Sequence, residues 1–293
     1  MLLRLFFDIK KVYLSKKNTK IMEFSILPQE RFKIGLRDLW HFRELFYFFT
    51  WRDIKVKYKQ TFLGFAWVVI QPLIMTLIFT LFLGDIISEK VVLSVPYPVF
   101  VLSGMILWNV FSNGLTSAAS SMVSNAHIIK KIYFPRLIIP MSSILVAIFD
   151  FLVAFLVFTV YLFFSGIAFH WQALFFIPLA VIITFLSSFG LGTLLSALNL
   201  KYRDFRYIVP FLIQALLFIT PVIYPSNITT NYFLRLIMKI NPMTAAIDIF
   251  RASFIDNYHL SGDFLLSLLV SVILFFIGLI YFRKTEYYFA DIA

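Results

Sequence analysis

One carboxylate stands deep inside a long apolar run. Asp150 follows Ala147-Ile148-Phe149 and precedes Phe151-Leu152-Val153. At the hydrocarbon centre an aspartate costs about 2.5–3.5 kcal/mol on insertion scales, so it must face a partner, a cavity or water. Two roles fit it: a pore-facing or gating carboxylate, or a hydrogen-bonded contact between helices. No second ionisable residue in the apolar segments completes a proton relay. Other reactive groupings are missing. The chain has no cysteine, which removes disulfides, thiolate zinc sites and cysteine nucleophiles. No glycine is followed by lysine, so there is no GxxxxGK[ST] phosphate loop. HExxH and GxSxG are absent, and His41, His127, His170 and His259 are far apart in sequence. The expectation is a chain with no catalytic residue, no metal site and no cofactor of its own.

The elements that would position Asp150 are membrane helices. The 293 residues are 61% hydrophobic and 14% charged, whereas soluble domains average about 25% charged. So few charges cannot cover a water-facing surface. Six segments are apolar enough to span: 62–83, 99–122, 137–164, 173–198, 207–224 and 264–282. The second is diluted by Asn109, Ser112, Asn113 and a Ser/Ala run, and the fifth is short. Twenty-two Lys and Arg flank one side of this arrangement and four the other, which predicts cytoplasmic N- and C-termini. The net charge of +11 is thus a topology signal, and nucleic acid is not an expected partner. The fold class is all-α integral membrane, with one transmembrane domain over 61–283 and a tail at 284–293.

Residues 1–35 form a basic N-terminal extension to which no fold is assigned. Residues 36–60 have a helical pattern with Arg37, His41, Glu44, Arg52, Lys55 and Lys59 on one stripe. This predicts an amphipathic helix lying in the membrane interface. Ser188, Gly192 and Ser196, spaced by four, predict a close helix–helix approach. The loop 123–136 is short and basic, and reads either as positive-inside charge alone or as a short helix that plugs into a partner. The segment 225–260 mixes Pro225, Asn241 and Pro242 with apolar patches. It predicts re-entrant helices before the last span.

Several separated motifs, in order, carry a resemblance. They are WRDIKVKYKQTFLGFAWVVIQP (51–72), VPYPVFVLSG (95–104), IIKKIYFPRLIIP (128–140) and LNLKYRDFR (198–206), then TPVIYP (220–225), INPM (240–243) and FRKTEYYFADI (282–292). The chain resembles the permease subunit of polysaccharide-exporting ABC transporters of the Wzm/TagG type. The resemblance implies a homodimer in the bacterial inner membrane, paired with two copies of a separate ATPase that binds ATP and Mg. It implies export of undecaprenyl-diphosphate-linked O-antigen, with wall teichoic acid or capsule as alternatives. An intramembrane glycosyl- or acyltransferase is a rival, but no catalytic cluster stands out for it.

The same resemblance implies roles for residues. His127, Lys130, Lys131, Phe134, Pro135 and Arg136 would couple to the ATPase. Arg52, Lys55, Lys57 and Lys59 would stand at the cytoplasmic rim, drawing in a diphosphate head group or anionic membrane lipid. Trp67, Gln71, Trp108, Asn109, Phe111, Asn113, Asp150, Phe218 and Tyr224 would line the pore or gate. Aromatic faces stack on sugar rings, and amides exchange hydrogen bonds with hydroxyls.

Overall fold

The computed structural model describes residues 40–59, 64–132, 134–202, 204–226, 228, 231–256, 258, 264–286 and 289. The expected extension at 1–35 lies outside them. The described residues form ten helices and no strand. They are α1 (Arg43–Lys59), α2 (Ala66–Lys90), α3 (Tyr97–Ser124), α4 (Ala126–Lys131), α5 (Ile138–Phe164), α6 (Ala173–Lys201), α7 (Phe205–Ile219), α8 (Tyr232–Ile240), α9 (Pro242–Arg251) and α10 (Phe264–Glu286). Five of them (α2, α3, α5, α6 and α10) are long and apolar enough to cross a membrane. The expected fifth span differs. Its helix has 15 residues and stops at Ile219, where Thr220 turns extended and Pro221 follows.

The weakest span by hydropathy is the central one. α3 is buried along most of its length and packs on α5 and α6, while α10 packs on the far side of α6. Small residues set these crossings. A Cβ at Gly278 of α10 would sit 2.0 Å from the Gly190 carbonyl of α6, and one at Gly192 would sit 2.8 Å from Ala118 Cβ of α3. Ser188 and Ser196 are buried beside them, as the four-residue spacing implies.

α1 covers most of the helix expected at 36–60 and packs against α5. Phe49 is its buried side chain and packs on Phe134 at 5.6 Å, just before α5 begins. Nine residues later, Tyr58 meets Asp150, twelve residues and about 18 Å up α5. So α1 runs alongside the N-terminal half of α5. Tyr47, Phe48, Trp51 and Val56 stay exposed, so apolar groups emerge on more than one face. Gly64, with φ +49°, turns the chain out of this segment. Phe65 then stacks back on Tyr58 at 4.0 Å.

The segment before α10 holds two short helices joined at Asn241. This asparagine caps α9 by accepting from Met243 N–H at 3.0 Å, and its amide donates to Thr220 Oγ1 at 2.7 Å. Asn231 caps α8 in the same way.

Candidate functional site

A cavity of about 680 Å³ opens between α1, α2, α3 and α5. Lys57, Trp67, Gln71, Asn109, Asn113 and Asp150 line it together. They come from four helices and span 93 residues of sequence. Asp150 is buried, yet it has partners: Lys57 Nζ and the Tyr58 hydroxyl both donate to its carboxylate. Burial and the neighbouring carboxylate push the Tyr58 phenol well above its usual range, so it remains a proton donor. The Asp150 problem posed by the sequence is therefore solved by α1, through residues outside the apolar segments.

The cavity continues into a polar stripe on α3. Ser112, Thr116, Ser117 and Ser120 extend it from Asn109 and Asn113 toward the α4 end, and the last three are exposed. Thr116 and Ser120 donate to their own helix at 2.7 and 3.0 Å. Their lone pairs stay available to accept. The stripe ends at Asn125, whose side-chain oxygen accepts from Arg52 at 3.0 Å.

At that end, α4 presents His127, Lys130 and Lys131 to the outside. Phe134 does not join them, because it is buried against Phe49. Arg136 is also tied down. Its guanidinium donates to the Glu286 carbonyl, its N–H to Glu286 Oε1 at 3.1 Å, and it lies 5.9 Å from the Phe289 ring. Pro135 is half-buried beside it. Lys55 lies over Trp51, and Lys59 is exposed.

A family model described as ABC-2 type transporter matches residues 44–255. The chain belongs to the ABC-2 type transporter family. Within it, the chain is 33% identical over 245 residues to an O-antigen export system permease protein RfbA of Klebsiella pneumoniae, covering 83% of this chain and 92% of that one. A protein of the same description from Myxococcus xanthus is 26% identical over 262 residues, 87% and 98% of the two chains. Polysialic acid transport protein KpsM of Escherichia coli is 22% identical over 241 residues, 80% and 91%. This ABC-2 type chain is a multi-pass membrane protein and a component of a transport system.

Not every expected lining residue of the ABC-2 type fold reaches the cavity. Trp108 and Phe111 are buried in the core, tilted against each other at 5.4 Å. They sit on the side of α3 that faces its neighbours, not on the polar stripe. Phe218 is exposed elsewhere, at the end of α7, and Tyr224 donates to its carbonyl at 2.6 Å. Much of the phenylalanine stock is packing: Phe158, Phe250 and Phe254 meet in tilted and edge-to-face contacts where the end of α9 meets α5.

Sequence reasoning passed over Arg251. It is fully buried on α9, and its guanidinium lies 3.5 Å from the Phe100 ring centre. It donates to the carbonyls of Pro221 at 2.8 Å, Val222 at 2.7 Å and Phe100 at 3.1 Å. Tyr97 adds a hydrogen bond to the Ile223 carbonyl at 2.8 Å. The motifs at 95–104, 220–225 and 240–243 thus meet at one hub. Gly104 is required there, since a Cβ would lie 2.8 Å from the Val222 carbonyl. The signal in the sequence was a lone arginine in an apolar helix between two turns.

Proposed function

We propose that this chain is the membrane permease of an ABC exporter that moves a lipid-linked polysaccharide, O-antigen in the first instance, from cytoplasm to periplasm. The observation that carries this reading is similarity to O-antigen export permeases over more than four-fifths of the chain. The cavity and its polar stripe support it, because amides, hydroxyls and one indole offer exchangeable contacts to sugar hydroxyls and ring faces.

In this reading the protein is a homodimer, with the permeation path between two copies. Two copies of a separate ATPase supply the power, and ATP with its Mg is bound there. The exposed α4 with His127, Lys130 and Lys131 docks that ATPase. Its movement on nucleotide binding reaches the cavity through α1, which touches both the α4 end and Asp150. The termini lie in the cytoplasm of a bacterium, and the outer hub around Arg251 forms the periplasmic gate. Capsular polysaccharide is the second reading, favoured by the similarity to KpsM.

The deciding experiment deletes the gene and follows glycan. The expected result is lipid-linked polysaccharide accumulating inside the inner membrane, with surface glycan restored by the wild-type chain. Unchanged surface glycan, or loss of glycan synthesis itself, would refute export.

A further inference from the structure

Two proton donors converge on one acceptor at the mouth of the cavity. Lys57 Nζ and the Tyr58 hydroxyl, adjacent at the end of α1, both reach the Asp150 carboxylate. The two sides differ in accessibility. The Asp150 side chain is 8% exposed, while the Lys57 side chain is 41% exposed and lines the open cavity. A cation with a second donor beside it is the arrangement that binds a phosphoryl oxygen. Here it is already occupied by an oxygen anion that belongs to the chain.

We propose that Lys57 and Tyr58 form a binding cradle for the phosphate of a phosphate or diphosphate ester, with Asp150 as its tethered resident. This rests on the transport reading above and extends it to how cargo is sensed. The incoming phosphate displaces the carboxylate from both donors. No covalent bond changes, and the ammonium and phenol keep their protons. Asp150, left buried without its donors, raises the cost of the occupied state. That cost keeps capture weak and helps expel the phosphate again. Displacement also removes the hydrogen-bonded link between the end of α1 and the middle of α5, leaving the edge contact of the Tyr58 ring with Phe149 at 6.3 Å. Phe49 still holds the first half of α1 on Phe134, so the change is confined to the end that carries Lys57 and Tyr58. Cargo loading is thereby reported along α1 to Arg52 and Asn125, beside α4.

The test uses the full chain in nanodiscs, titrated calorimetrically with inorganic pyrophosphate and with farnesyl diphosphate. Asp150→Asn removes the competing charge and is expected to tighten binding at least tenfold. Lys57→Ala is expected to abolish binding, and Tyr58→Phe to weaken it several-fold. In Lys57→Ala/Asp150→Asn the gain should vanish. Binding of both probes supports recognition of the phosphate itself, and binding of farnesyl diphosphate alone supports recognition of a lipid head group. Thermal unfolding of each variant shows that it is folded. The proposal is overturned if Asp150→Asn binds no tighter than wild type, or if its gain survives loss of Lys57. Tighter binding of a neutral disaccharide than of either phosphate probe would also overturn it. Surface glycan in the deletion strain is scored separately, so failure of the export reading and failure of the cradle are told apart.

Discussion

Replacing Arg251 by alanine removes the donor for three backbone carbonyls at the hub around it. The Phe100 carbonyl keeps the Ser103 hydroxyl at 2.7 Å. Those of Pro221 and Val222 lose the guanidinium that reaches them at 2.8 and 2.7 Å. A buried acceptor left unmade costs about 1–3 kcal/mol, so two of them set a loss of about 2–6 kcal/mol. The void left by a fully buried arginine side chain adds to this. Arg251→Lys supplies one nitrogen where two diverge, and it should recover about half. The assay is denaturant unfolding of the purified chain in detergent, followed by far-ultraviolet circular dichroism. Limited proteolysis should cut Arg251→Ala between residues 220 and 226 faster than wild type. A change of less than about 0.5 kcal/mol in Arg251→Ala, with unchanged proteolysis, would mean that the hub is held by its apolar contacts and not by this guanidinium.

Further perturbations separate packing from transport. Gly278→Ala forces a methyl to within 2.0 Å of the Gly190 carbonyl. It should destabilise the chain by about 1–3 kcal/mol or more, read by the same unfolding assay. Phe111→Ala should cost about 3–5 kcal/mol of stability, whereas Trp67→Ala, at an exposed position, should leave unfolding unchanged and reduce glycan export in the complementation assay. Lys130→Glu with Lys131→Glu should abolish co-purification of the ATPase while the unfolding curve stays at wild type. Arg136→Glu should weaken docking too, and in addition speed carboxypeptidase cleavage from the C-terminus, because the guanidinium bond to the Glu286 carbonyl is lost and the backbone N–H bond to Glu286 Oε1 is left facing a second carboxylate.

Much of the helical layout was legible because lipid contact demands apolar side chains over a fixed length. The same rule explains what was misjudged. α3 reads as the weakest span, yet it is the most buried. A helix surrounded by other helices does not need to satisfy lipid, and it can spend one face on Asn109, Asn113 and the serines. Trp108 and Phe111 are only a few residues from that polar face, but their angles about the axis point them at neighbouring helices. The partner of Asp150 was hidden by distance. Lys57 is 93 residues away, in a segment whose charges looked sufficient to keep it at the membrane surface. Phe134 looked like part of an exposed docking motif, but its ring is claimed by Phe49. These are pairings between segments, and neither hydropathy nor local motif encodes them.

The tie between Arg136 and Glu286 has a topological consequence. Two groups in hydrogen-bond contact lie on the same side of a bilayer, so the chain between them crosses it an even number of times. α5, α6 and α10 are each long and apolar enough to cross, which makes three. A fourth must come from the stretch 202–263, where α7 and the turn residues after it are the apolar candidates. Fifteen helical residues cover about 22 Å of a core about 30 Å thick, and the rest falls to Thr220–Pro225. That backbone is non-helical and would be intolerable against lipid. Its carbonyls are the ones received by Arg251 and Tyr97. The arginine of α9 thus stands in for the missing turn of helix, and parity alone requires that something do so.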